Sequence, residues 1–401
     1  MNKAPSRRKF LKQSSMIAAG TLLAPYFING MSGLPGNYEG KRLVIIQLSG
    51  GNDGLNTVVP FRNDLYYKAR PRLAIQPNEV LKLKDDLGLH PAMTGLRHLY
   101  DEGLLTVINN VGYPNPDRSH FRSMDIWQTA SGAEETWKTG WLGRYLDASC
   151  HQCESPHRAI EVNDHLSLAM KGEATKGMAM TNPKRLIRHI NKTYARQLAA
   201  LNAEVAEEEH NLGYLYKTLV ETVNSADYIS EHFERSQSTT TYPRNKFANS
   251  LKTIARLIGS GMETSVYYAD LGGFDTHVGQ SGKQARLLGV YSDAIKAFIT
   301  DLKARGELEH TVVMTFSEFG RRVRQNASGG TDHGTANNLF IMGGTARPGF
   351  YNGQPNLADL DNGDLKYEID FRRIYASLLD NWLGASSRDI LKKEFKPLPF
   401  L

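Results

Sequence analysis

Apolar positions along the chain fall into two alternating regimes. Near-continuous runs rich in β-branched residues span 42–48, 104–109, 265–271, 311–316 and 338–342, each followed by glycine, acidic or polar residues. Runs that are apolar on both faces predict buried parallel strands. Between them the spacing shifts to the helical period, over 93–102, 281–305 and 371–383. Strands alternating with helices predict an α/β domain on a mostly parallel sheet, with ligands collecting beyond the carboxyl ends of the strands. Residues 183–257 break this rhythm. They are rich in Ala, Glu, Leu, Lys and Arg and contain no strand-like run, so they predict an inserted helical hairpin or lid. Within it the acidic cluster at 204–209 reads as a solvated face.

The first thirty residues follow neither pattern. Lys3, Arg7, Arg8, Lys9 and Lys12 precede a short apolar stretch, 16–27, with no acidic residue among them. That is the layout of an export signal. Paired arginines followed by Phe10 and Leu11 resemble the twin-arginine consensus, which predicts transport by the twin-arginine translocase to the periplasm or beyond. The apolar stretch falls short of the ~20 residues a spanning helix needs.

Charge then changes meaning. The whole chain carries a net charge of +6, but without the five basic residues of the leader 43 basic residues face 42 acidic ones. No Lys/Arg stripe elsewhere replaces them, so nucleic acid is excluded as the expected partner. At 40% hydrophobic and 22% charged residues, the chain as a whole has the composition of an ordinary globular enzyme, whose α/β domain is expected over 40–401. The only cysteines, Cys150 and Cys153, predict a small local disulfide or two idle thiols; zinc binding would need further ligands, such as His151 and His157.

Candidate chemistry clusters after the strand-like runs. Asn52-Asp53 follows the first, and Asp117-Arg118-Ser119-His120-Phe121 lies beyond the second. Asp275-Thr276-His277 follows the third, and Ser317-Glu318 with Asp332-His333 follows the fourth. Asp53, Asp275, His277, Glu318, Asp332 and His333 are residue types that hold divalent metals, and metals can clamp the oxygens of a phosphoryl or sulfuryl transfer. Read singly, each has a plainer role: a turn former at Asp53, a helix cap at Asp332, a hydrogen-bonded histidine. Ser119 reads as a helix N-cap or as a nucleophile in the helix-dipole field. His120 is open between orienting substrate and binding metal. Arg118, Arg122 and Arg321 are candidates to hold an anion.

Taken together, Leu48-Ser49-Gly50-Gly51-Asn52-Asp53-Gly54, Ser119-His120-Phe121, Gly273-Phe274-Asp275-Thr276-His277, Ser317-Glu318-Phe319-Gly320-Arg321, Asp332-His333-Gly334 and Asp370-Phe371-Arg372 resemble the domain of unknown function 1501 family over nearly the whole mature chain. That family is similar to the alkaline phosphatase and sulfatase superfamily. The resemblance implies an alkaline phosphatase-like three-layer sandwich holding one or two divalent ions, of zinc, calcium, magnesium or manganese. It implies Asp53 as the first-strand ligand, Ser119 as nucleophile, Asp275 and His277 as the central ligand pair and His333 as the last histidine ligand. Glu318 matches the aspartate of the usual Asp-His-Gly strand end, and Phe319 stands where a histidine ligand would be.

The expected activity is therefore an exported, metal-dependent hydrolase of phosphate or sulfate esters, acting on an anionic small molecule or glycan ester. The rival expectation is a non-catalytic exported binding or scaffold protein on the same fold. Members of this family are often encoded beside another exported protein, which the resemblance implies as a partner.

Overall fold

In a computed structural model, residues 40–149, 155–192, 195–200 and 211–401 are described. The leader (1–30), Cys150, His151, Cys153 and the acidic cluster at 204–209 lie outside them.

Strand β1 (Arg42–Ser49) sits at the centre of a nine-stranded sheet. The other strands are β2 (Leu105–Gly112), β3 (Ala159–Glu161), β4 (Met178–Ala179), β5 (Val266–Gly272), β6 (Thr311–Phe316), β7 (Asn337–Gly343), β8 (Gly349–Phe350) and β9 (Ile369–Asp370). Their order is β8-β2-β7-β6-β1-β5-β3-β4, and β9 pairs with β2. β1 runs parallel to β5, Leu43 opposite Val266, and to β6, Leu43 opposite Val312.

Only β7 is reversed, antiparallel to both β6 and β2. A parallel return needs a long crossover, and residues 317–336 contain no helix to provide one. The reversal matters for the site. The loop carrying Asp332 and His333 enters β7 from the carboxyl edge of the parallel strands, so it arrives at that edge before its strand and not after it.

β1 is apolar from Leu43 to Ile46 and again at Leu48 because both of its faces are covered. Val44, Ile46 and Leu48 belong to one core, with α1 (Thr94–Asp101), α7 (Lys246–Ile258) and α8 (Gln280–Ala304). Leu43 and Ile45 belong to the other, with α2 (His120–Thr129), α3 (Trp141–Ser149) and α9 (Phe371–Ser377). The architecture is a three-layer α/β sandwich on a mostly parallel sheet.

Residues 183–257 contain α4 (Pro183–Lys192), α5 (Ala195–Ala200), α6 (Asn211–Arg235) and most of α7. Ile190, Val223 and Ala226 form a small core of their own. α7 differs: Phe247, Leu251, Ile254 and Ile258 are buried in the main core, so this helix is a layer of the domain and not part of a lid. Among the described residues no helix is long and apolar enough to cross a membrane.

Candidate metal centre

Two glycines shape the edge where β1 ends. Gly50 (φ +115) passes so close to the Phe274–Asp275 backbone that a Cβ would lie 2.4 Å from Asp275 N. At Gly51 (φ +69) a Cβ would meet the Phe319 ring at 2.3 Å. Only glycine combines these torsions with such contacts. The turn therefore lets three loops close on one point.

There the side chains converge on Asp275 Oδ1. His277 Nε2 lies 3.0 Å from it, His333 Nε2 3.2 Å and His120 Nε2 3.6 Å. One ligand atom each from His120, Asp275 and His333 lies within 4.8 Å of the others. His277 completes the wall, its Nε2 2.9 Å from His333 Nε2 and its Nδ1 3.2 Å from Asp332 Oδ1.

The far nitrogens explain what faces inward. His120 Nδ1 is 2.8 Å from Glu318 Oε1, and His333 Nδ1 is 2.8 Å from the Arg118 carbonyl oxygen. A carbonyl only accepts, and Glu318 as a carboxylate does the same, so both imidazoles carry their proton on Nδ1 and present an Nε2 lone pair. This is the outer-shell arrangement of metal-binding histidines. His120 Nε2 is buried and has no hydrogen-bond partner. A buried acceptor left unpaired is costly unless something fills the position. The donor set fits a divalent ion: His120 and His333 with Asp275 would hold it.

Neighbouring groups shift the protonation of these side chains in different directions. Burial pushes the Asp275 carboxyl up, but the Arg321 guanidinium, which donates a hydrogen bond to Oδ1 and faces it as a charge, outweighs this and holds the group at about 2. The hydrogen bond to Glu318 raises His120, while burial lowers His333. The Asn326 side-chain hydrogen bond, ahead of His277, lowers Asp332.

Other expected residues sit differently. Glu318 is buried and accepts from Gly50 N at 2.8 Å as well as from His120, so it supports a ligand and does not itself join the triad. Arg321, expected to hold an anion, has its three nitrogens engaged by Gly51 O, Thr331 O, Gly50 O, Phe274 O and Asp275 Oδ1. It is buried and works as a scaffold. Arg122 likewise turns to the carbonyls of Gly132, Ala133 and Glu135. Arg118 remains partly exposed and pairs with Asp364. Ser119 caps α2 from an exposed position; its side chain makes no capping bond, and its backbone N–H donates to Asp117 Oδ1.

Asp53 stands apart from the triad. Its Oδ2 accepts from Arg70 Nη1 at 2.6 Å and from Gln280 Nε2, with Arg70 and Asp53 both buried; its Oδ1 has no hydrogen-bond partner. Arg70 also reaches Asn56 Oδ1, Val323 O and Arg322 O. Gln280 accepts from Thr331 Oγ1. Sequence reasoning missed Arg70 and Gln280. No periodicity marks Arg70, and Gln280 opens a helix after Gly279, a cap without a side chain to announce it. Phe319 packs its ring 4.8 Å from that of His120 and 4.9 Å from that of His333, walling the centre at the position where the resemblance implies a further histidine.

The family profile for DUF1501, proteins of unknown function, matches residues 40–385. The chain belongs to the DUF1501 family. No curated protein matches it significantly. Among solved structures, it is similar to a sulfatase from Pseudoalteromonas sp. (10% identity, TM-score 0.38, covering 90% of this chain and 70% of that one). It is also similar to an alkaline phosphatase superfamily protein from Vibrio parahaemolyticus (12%, 0.36, 79% and 63%). A third similar structure is a lipoteichoic acid synthase from Listeria monocytogenes (11%, 0.36, 78% and 67%).

Proposed function

We propose that this DUF1501 protein is an exported, metal-dependent hydrolase of phosphate or sulfate esters. The observation that carries the reading is the unpartnered His120 Nε2 facing Asp275 and His333, with the proton of each histidine held on the far nitrogen. Two imidazoles and a carboxylate form a mixed N/O set suited to zinc ahead of calcium or magnesium. When bound, the metal supplies Lewis acidity toward the ester oxygens and charge stabilisation as the ester is cleaved.

The chain's own groups do the rest. Ser119, at the start of α2 beside His120, is the proposed nucleophile, and the helix N-terminus favours the anion it would attack. Arg118 is the arginine left at the rim to hold that anion; its carbonyl keeps His333 oriented. Asp53, with Arg70 against it, fixes the end of β1 and, through Gln280 and Thr331, the loop before His333. The twin-arginine leader (residues 1–30) supports export to the periplasm or cell exterior, by a route that accepts folded cargo, and a neighbouring exported protein is the proposed partner.

The test is metal content by mass spectrometry on purified wild type, His120→Ala and His333→Ala, followed by a panel of phosphate and sulfate esters with zinc, manganese, calcium or magnesium added. Bound metal in the wild type, its loss in both variants, and ester turnover that disappears in Ser119→Ala are expected. Unchanged metal content in both variants would sink the site. Phe319 in the place of a ligand favours a second reading, the non-catalytic binding or scaffold protein, for which metal bound without turnover is the expected outcome.

A further inference from the structure

Two side chains beside the metal centre have no place in the packing. Among the described residues four large apolar side chains are exposed, and the two most exposed are Phe121 at 88% and Val278 at 60%. Each is the next residue along the chain from a histidine of the centre, His120 or His277. Neither belongs to a core of the domain.

Local structure does not call for them either. Phe121 is the second residue of α2, where the positive end of the helix dipole favours a carboxylate, yet the first turn holds no acidic residue. Val278 stands in the loop before Gly279, which caps α8, and a small polar residue would serve that loop at least as well. Leaving a large apolar side chain in water forgoes the stability of burying it, so a ligand that covers both is favoured.

Area and position decide what that ligand is. The two side chains offer roughly 250 Å² of apolar surface, about a third of the ~800 Å² that one side of a specific protein interface buries. Neither lies on a helix whose apolar face is free to enter a bilayer surface, since α2 turns Ile126 and Trp127 into the core. The rings of His120 and His277 both lie against His333, their centroids 4.4 and 4.7 Å from it, so Phe121 and Val278 leave the centre on two of its own loops. The centre is open, with the Asp275 and His277 side chains 48% and 40% exposed. An anion held there leaves its organic part to run outward over this rim.

We infer that the alcohol of the ester is a hydrocarbon group, carried by a single amphiphilic molecule and covered by Phe121 and Val278, in contrast to a sugar. The inference rests on the hydrolase reading for the anion and on these two side chains for the choice of alcohol.

The test is calorimetric titration of the zinc-loaded full chain, and of its Ser119→Ala variant so that turnover adds no heat. The probes are methyl, propyl and hexyl phosphate, each below its micellar concentration, and glycerol 3-phosphate. Affinity should rise about twofold per methylene, because an open rim removes about half of each methylene from water, or roughly thirtyfold from methyl to hexyl phosphate. Glycerol 3-phosphate, which is propyl phosphate with added hydroxyls, should bind no better than methyl phosphate. Phe121→Ser/Val278→Ser should reduce the hexyl-to-methyl ratio to under about threefold. Phe121→Leu/Val278→Leu should restore it, and both pairs change surface positions outside every core. A ratio that survives the serine variant, or esters bound without regard to chain length, overturns the inference; if the wild type then sediments with vesicles of phosphatidylcholine and phosphatidic acid and the serine variant does not, the two side chains are a membrane contact instead. Hexyl phosphate bound, and weakened by the serine variant, while zinc does not load and methyl phosphate does not bind overturns the hydrolase reading and leaves the apolar rim standing.

Discussion

Glu318→Gln separates the charge of the Glu318–His120 pair from its geometry. The wild-type Oε1 accepts from His120 Nδ1 and from Gly50 N, each at 2.8 Å, and its Oε2 accepts from Ser317 Oγ at 3.2 Å. Glutamine keeps one carbonyl oxygen in the Oε1 position, so both short hydrogen bonds and the His120 tautomer persist. What is lost is the negative charge that makes His120 Nε2 a stronger donor to a metal. Removing such an outer partner costs about 10–100-fold in metal affinity, which is about 1.4–2.7 kcal/mol. The site is buried around Glu318, 1% exposed, so solvent does little to screen the loss. The assay is competition against a chromophoric zinc chelator at pH 8, with wild type and His120→Ala as the two limits. Zinc affinity within about twofold of wild type would refute the argument that Glu318 tunes the ligand. A loss as large as that of His120→Ala would refute it from the other side, since it would make Glu318 a ligand itself.

Asp53→Asn leaves the Arg70 guanidinium buried without its charge partner and should cost about 3–5 kcal/mol in a guanidinium melt, whereas Asp53→Asn/Arg70→Met should recover much of that loss; equal losses in both would remove the pair's claimed role. Gly51→Ala forces a Cβ against the Phe319 ring at φ +69, so a drop in stability of more than about 1 kcal/mol is expected, and an unchanged melting temperature would contradict the packing argument. Ile46→Ala in the fully buried centre of β1 should cost about 2–5 kcal/mol in the same melt, and a loss under about 1 kcal/mol would mean that this face of the sheet is not covered. His157 is held down at about 4, by burial first and then by Arg158 and His232. Its folded pKa lies below its unfolded one, so stability is complete above about pH 6.5 and falls as the pH drops toward 4. The loss at pH 5 should be about 2 kcal/mol; the stability of wild type relative to His157→Gln, from urea melts, should therefore fall by about that amount between pH 7 and pH 5, and parallel curves would exclude the residue as the cause.

The layers were legible because burial on both faces writes itself into β1 as a near-continuous apolar run, Leu43–Ile46 and Leu48, and β6 follows the run 311–316 residue for residue. The direction of β7 was not. Its apolar run looks like its neighbours', and orientation depends on what the intervening segment lacks, a crossover helix. The centre divides in the same way. His120, Asp275, His277 and His333 were legible as strand-end residues of ligand type, because a parallel sheet gathers its loops at one edge. Their roles were not, since a role depends on which atom faces which neighbour. Arg321 and Asp53 show the difference most plainly. Both have the charge their expected roles require, yet each is buried, and burial obliges a charge to find partners inside the protein. Arg321 finds backbone oxygens at Gly50, Gly51, Phe274 and Thr331; Asp53 finds Arg70, seventeen positions along the chain. No local pattern announces a partner at that separation. A charged residue next to a glycine turn therefore signals an organised loop end first, and which of its charges remain free for a metal or an anion is decided only by the partners the fold brings in.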